Sequence, residues 1–115
     1  MILCFVSLLT SCMVDEIKEN KAVTSAKIIG SRKDYRNWAF SLNYTYKIDS
    51  NLYVRKSSHT VSGKYLKDYM YKYFPVVYST KNPGKSILLV TPADFKRWGI
   101  QFPDSLNWVR DKIGF

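Results

Sequence analysis

The segment Trp38-Ala39-Phe40-Ser41-Leu42-Asn43-Tyr44-Thr45-Tyr46-Lys47-Ile48 constrains the fold more than any other part of this 115-residue chain. Apolar residues occupy every second position, and the residues between them are small or polar. Side chains on a strand point alternately to opposite faces, so this spacing predicts a strand with one buried face. At about 3.3 Å per residue such a strand would reach about 36 Å, more than a domain this small holds flat, so it should coil or carry a bulge. Asp49-Ser50-Asn51 supplies turn chemistry, and Leu52 to Val61 reads as the returning arm of a hairpin. The middle of that arm, Arg55-Lys56-Ser57-Ser58-His59, alternates poorly. It suits an exposed edge strand whose charges discourage pairing with another chain.

The flanking sequence adds short elements. Val23 to Ile29 favours a strand ending at Gly30, with a polar turn over residues 31–34. From Lys64 to Phe74, the residues Tyr65, Leu66, Tyr69, Met70, Tyr73 and Phe74 recur at helical spacing, although the alternation of tyrosine with lysine also allows a strand or an ordered loop. Phe74 to Tyr78 is a strand entered at a proline, and Asn82-Pro83-Gly84 is a turn. Ile87-Leu88-Leu89-Val90 is a continuous apolar strand. Thr91-Pro92-Ala93-Asp94 combines a cap residue, a proline at the first helical position and an acid near exposed N–H groups. A helix should run from there through Trp98 and stop at Gly99. A second should start near Pro103-Asp104, carry Leu106, Val109 and Ile113 at helical spacing, and end at Gly114. The expected class is α+β: a small antiparallel β-sheet or partly closed barrel of four or five strands, with two short C-terminal helices. The length allows one modest core and excludes a multidomain enzyme.

Residues 1–14 are apolar and uncharged before Asp15, too short for a permanent helix across a hydrocarbon layer of about 30 Å. They read as a secretory leader. Leu9-Thr10-Ser11-Cys12 directly after it resembles the lipobox of bacterial lipoproteins: an aliphatic residue, two small residues and the cysteine. The resemblance implies cleavage before Cys12, a lipid on its thiol and attachment to the membrane through that lipid. The division expected is a signal peptide over 1–11, the lipidated cysteine with a flexible tether over 12–22, and one β-rich domain over 23–115. No Lys or Arg precedes the apolar run, as the pattern would ask. Met13 in place of an aspartate after the cysteine favours the outer membrane, on its periplasmic or surface face. The alternative is an ordinary first core element with Cys4 and Cys12 as small buried hydrophobes. The stretch Lys72 to Leu89, a V-x-Y strand followed by an Asn-Pro turn and a second apolar strand, is similar to a segment of small bacterial membrane-attached proteins. That likeness implies an antiparallel sheet and carries no activity.

The chain holds 18 Lys and Arg against 9 Asp and Glu, a net charge of +9. Asp15, Glu16 and Glu19 lie before Ala22, so the acids beyond it are all aspartates: Asp34, Asp49, Asp68, Asp94, Asp104 and Asp111. They sit at turns and helix ends and read as caps, with no spacing for a calcium loop or a paired-carboxylate glycosidase. Gly84-Lys85-Ser86 ends like a phosphate loop but lacks its first glycine. Cys4 and Cys12 have no metal-binding or redox spacing, and nothing calls for a metal or cofactor. His59 is the single histidine, with Ser57, Ser58 and Asp68 its nearest candidate partners in sequence. A surface histidine on an edge strand explains it better than a hydrolase does.

Most informative is the interleaving of Lys64, Lys67 and Lys72 with Tyr65, Tyr69, Tyr71 and Tyr73. Cations and rings so mixed can meet an anionic surface. Here that means anionic lipid, lipopolysaccharide or an acidic envelope protein. The same mixture suits single-stranded nucleic acid, but an exported lipoprotein rarely meets it. The expected role is therefore a non-catalytic binding or structural module of the cell envelope. The alternative is a small OB-like nucleic-acid-binding protein that is not exported.

Overall fold

The computed structural model describes residues 9–33 and 38–113, with the backbone alone for residues 9–13. Helix α1 spans Leu9–Glu19 and leads into strands β1 (Lys21–Lys33), β2 (Ala39–Ile48) and β3 (Asn51–Ser62). A 3-10 turn at Gly63–Tyr65 and the single-turn helix α2 (Leu66–Tyr69) connect to β4 (Tyr73–Ser79) and β5 (Ser86–Leu88). Helix α3 (Pro92–Arg97), a 3-10 turn at Asp104–Leu106 and helix α4 (Asn107–Ile113) complete the chain.

The strands form one antiparallel sheet in the order β3-β2-β1-β4-β5. The central strand β1 pairs with β4 through Lys21–Lys27 and with β2 through Lys27–Lys33. The outer strands β3 and β5 run in the same direction as β1 and approach each other, so the sheet curls into a nearly closed barrel. The seam is held by side chains. Arg55 Nε donates to the Gly84 carbonyl at 2.8 Å, and the Tyr46 hydroxyl donates to the Pro83 carbonyl at 2.6 Å.

The alternating strand occurs where the sequence predicts it, but the extra residues that bend the sheet lie in its two neighbours, β1 and β3, rather than in β2 itself. The register shifts between Ile28 and Gly30 in the first pairing and between Ser41 and Asn43 in the second. At the second shift Leu42 faces a bulge in β3. Its N–H reaches the buried Ser57 hydroxyl at 2.9 Å, and that hydroxyl donates to the His59 carbonyl at 2.6 Å. The side chain thus supplies the bond that the ladder omits. Leu42, Tyr44 and Tyr46 are buried, Phe40 and Ile48 are half-buried, and Trp38, beyond the strand end, is 63% exposed. Tyr46 stacks on Tyr53 and Tyr78, with ring centres 5.2 and 6.3 Å away. The Tyr44 hydroxyl pairs with Ser86 Oγ at 2.7 Å, so the polar tips of a tyrosine-rich core are satisfied.

The two C-terminal helices are present. Thr91 and Asp94 form a reciprocal capping box with Pro92 at the first turn, and Gly99 takes φ +67° just past the end of α3. Between Lys64 and Phe74 the helical spacing yields little helix. Tyr71 adopts φ 63°, and Pro75 biases Phe74 toward extended backbone, so the chain turns into β4. Tyr69, Phe74 and Trp108 then pack together with ring centres 5.7–6.2 Å apart, placing α2 and α4 over one end of the barrel.

The amino-terminal side differs from expectation. Residues 12–22 form no extended spacer: α1 packs against β4 and β1, and Ile17 is fully buried. Val14 and Ile17, three apart, fall on one helical face and enter the core. Counting from Asp15 splits that pair and hides it. β1 starts at Lys21 and runs through Ser31, Arg32 and Lys33, where a turn was expected. The leader reading falls on residues 1–11, of which 1–8 lie outside the described residues.

Candidate functional site

Lys64 lies in the 3-10 turn, Lys67 in α2 and Lys72 just before β4, and all three are exposed. Lys64 Nζ stands 5.4 Å from the centre of the Tyr65 ring. The Ile28 N–H donates to the Lys72 carbonyl at 3.0 Å, which fixes the backbone there and leaves the side chain in solvent. Tyr69, read with the same patch, instead turns inward. Burial pushes its hydroxyl up to about 12, and neighbouring Asp68 adds to the shift. Tyr71 and Tyr73 face outward at 67% and 60% exposure.

Between those two rings the structure places Lys27, which the linear pattern misses. Its Nζ is 5.9 Å from the Tyr71 ring centre and 6.0 Å from that of Tyr73. The β1–β4 register sets this contact by pairing Lys27 with Tyr73, a long-range fact that local spacing does not carry. Such cation–ring contacts are worth about 0.5–1 kcal/mol at exposed sites, enough to hold a lysine over a ring without neutralising it. Asp68, the acid of this segment, accepts an ion pair from Lys112 at 2.8 Å. Among the described residues, Lys27, Lys64, Lys67 and Lys72 enter no ion pair. The patch therefore keeps a positive potential beside exposed rings.

His59 has a different neighbourhood from the one its sequence suggests. Ser57 is committed to the β3 bulge and Asp68 to Lys112. The carboxylate facing the imidazole is Asp94, 3.7 Å away, with its other oxygen accepting the Val90 and Thr91 N–H groups at 3.0 Å each. A cleft of about 250 Å³ opens there, lined by Val14, Ser58, His59, Ile87, Asp94, Arg97 and Trp98. It lies where β3 and β5 fail to pair, beneath α1 and α3. The Ser57 hydroxyl is committed to the bulge, and Ser58, which lines the cleft, makes no hydrogen bond to the His59 ring among the described residues.

Cys12 lies in α1, two residues before the buried Val14. Among the described residues no three His, Cys, Asp or Glu side chains gather as a metal site, and no helix is long and apolar enough to cross a membrane. No protein-family model, curated protein or solved structure matches the chain.

Proposed function

We propose that the protein is a non-catalytic binding module of the cell envelope, carried on a lipid at Cys12, which turns a basic, aromatic surface toward an anionic partner. The observation that carries this reading is Lys27 seated between the exposed Tyr71 and Tyr73 rings, beside the exposed Lys64, Lys67 and Lys72. Rings at an interface keep one edge wet while covering apolar surface, and each nearby lysine contributes about 1 kcal/mol toward an anionic bilayer. Two or three acyl chains would make attachment long-lived, so the patch need only orient the domain. Lipid labelling with Cys12→Ser and Cys4→Ser variants tests the anchor. Labelling should vanish in the first and persist in the second, and a native chain with unmodified Cys12 would refute it.

A second reading rests on topology. A three-stranded meander, a helix between β3 and β4, and a ring order β1-β2-β3-β5-β4 describe a Greek-key barrel of the OB type, a fold used for oligonucleotides and oligosaccharides. On that reading the protein is not exported, and it should retain a labelled single-stranded oligonucleotide at moderate salt with a steep salt dependence.

A further inference from the structure

The outward face of β1, β2 and β3 carries a second surface with a different composition. Cross-strand pairing aligns Val54, Thr45, Lys27 and Tyr73 in one row over four strands. Beside that row lie the pairs Lys47 with Leu52 and Lys56 with Asn43, and further along Arg32 with Ser41 and Thr60. Every charged residue in these rows is a cation. None of Lys27, Arg32, Lys47 and Lys56 is ion-paired among the described residues. Leu52, Val54 and Tyr73 are at least half exposed on it, because α1 packs mainly against β4, and α2 with α4 lies at the barrel end.

We propose that this face is the surface on which the barrel rests against an anionic lipid bilayer, with Leu52, Val54 and Tyr73 entering the headgroup boundary and Lys27, Lys47 and Lys56 meeting phosphates. This deepens the proposed function by naming the partner, and it adds a surface beyond Lys64, Lys67 and Lys72. Charge complementarity points to an anionic partner. The aliphatic character of Leu52 and Val54 selects among anionic partners, since a single-stranded nucleic acid would ask for stacking rings at those positions. A bilayer asks for apolar side chains ringed by cations, which is the arrangement present.

The full chain with Cys12→Ser, which removes the anchor from the measurement, is titrated with vesicles of neutral lipid alone or with one-third anionic lipid. Trp38 lies at the far end of the β2–β3 hairpin from Leu52 and Val54, so binding is read by cosedimentation of the protein with the vesicles. Binding to the anionic vesicles should exceed binding to the neutral ones and weaken as salt rises. Lys47→Gln with Lys56→Gln should reduce partitioning about thirtyfold, at about 1 kcal/mol for each lysine. Leu52→Ser with Val54→Ser should reduce it about tenfold, because apolar area no longer leaves water. Denaturant midpoints of both double variants should match the parent, which separates lost binding from lost fold. Undiminished binding by both variants overturns the proposal. So does loss confined to a Lys64, Lys67 and Lys72 triple variant, an outcome that leaves the proposed function standing. Retention of a single-stranded oligonucleotide with no vesicle binding overturns it in favour of the OB-type reading.

Discussion

Two parts of the barrel wall obey the same alternation and meet different surroundings. On β4 the outward Val77 and Ser79 are buried, and α1 packs against that strand with Ile17 fully enclosed. On β3 the outward Leu52 and Val54 stand in solvent at 66% and 52% exposure. Alternation decides which residues share a face. Whether a face becomes core depends on what the rest of the chain lays over it. The covered side is the one from which Cys12 leads into the fold, and the uncovered side carries Lys27, Lys47 and Lys56, which enter no ion pair among the described residues.

The largest expected effect breaks this comparison directly. Ile17→Ala should cost about 2–5 kcal/mol, the usual range for truncating a fully buried aliphatic residue. Leu52→Ala on the uncovered wall should change stability by less than about 0.5 kcal/mol. Urea midpoints of the two variants measure the contrast. Equal and small losses would mean that α1 is no part of the folded unit, and residues 12–22 would then act as a tether after all.

Inside the barrel the comparison sharpens with pH. Burial raises the hydroxyls of Tyr44 and Tyr69 to about 12 from an ordinary value of 10, and the bond to Ser86 only partly offsets this at Tyr44. A folded-state value above the unfolded one means that the native protein holds its proton more tightly. The associated stability is therefore complete below pH 10 and is lost as pH rises from 10 through 12. Together the two groups should cost about 2–4 kcal/mol by pH 11.5. A Tyr44→Phe, Tyr69→Phe variant should show a flatter decline in denaturant midpoint between pH 9 and 11.5. A decline identical to the parent's would remove both tyrosines as its source.

Much of this architecture is legible in the sequence, for local reasons. The β2 alternation, the Asp49-Ser50 turn, the Asn82-Pro83-Gly84 turn and the Thr91-Pro92 helix start are encoded within a few residues each. Contacts set by register or by remote cover are not. Lys27 meets Tyr71 and Tyr73 only because β1 pairs with β4, and Asp94 meets His59 only because α3 folds back over the seam. Val14 and Ile17 escape notice because one falls in the apolar leader pattern and the other in a polar stretch. Of the candidate site, Lys64, Lys67 and Lys72 are readable as a basic segment, but Tyr69 turns inward and Lys27 takes a place beside the outward rings.

An intermediate effect is expected at the β3 bulge, where one hydroxyl joins the two walls of the hairpin. Ser57→Ala removes the acceptor for the Leu42 N–H and the donor to the His59 carbonyl. A buried amide left without a partner costs about 1–3 kcal/mol. Ser57→Thr retains the hydroxyl and tests whether the bond or the volume matters. Hydrogen exchange at the Leu42 amide should quicken selectively in the alanine variant, and unchanged exchange would show that the bulge holds without this side chain.

The smallest effect concerns the seam between β3 and β5, compared with the opposite end of the same strand. A methyl group on Gly84 would stand 2.6 Å from Arg55 Nη2, the far end of a flexible side chain, with the Tyr53 ring at 3.5 Å. Arg55 can swing aside at the loss of its exposed bond to the Gly84 carbonyl, so Gly84→Ala should cost only about 0.5–1 kcal/mol. A methyl on Gly63 would run into the Trp38 indole and stand 2.7 Å from Phe40 Cε1. Rings packed edge to face at 5.5 Å yield less readily, and Gly63→Ala should cost about 1–3 kcal/mol. The order of the two thermal midpoints is the readout. If Gly84→Ala proves as costly as Gly63→Ala, the seam is a rigidly packed closure rather than a side-chain latch.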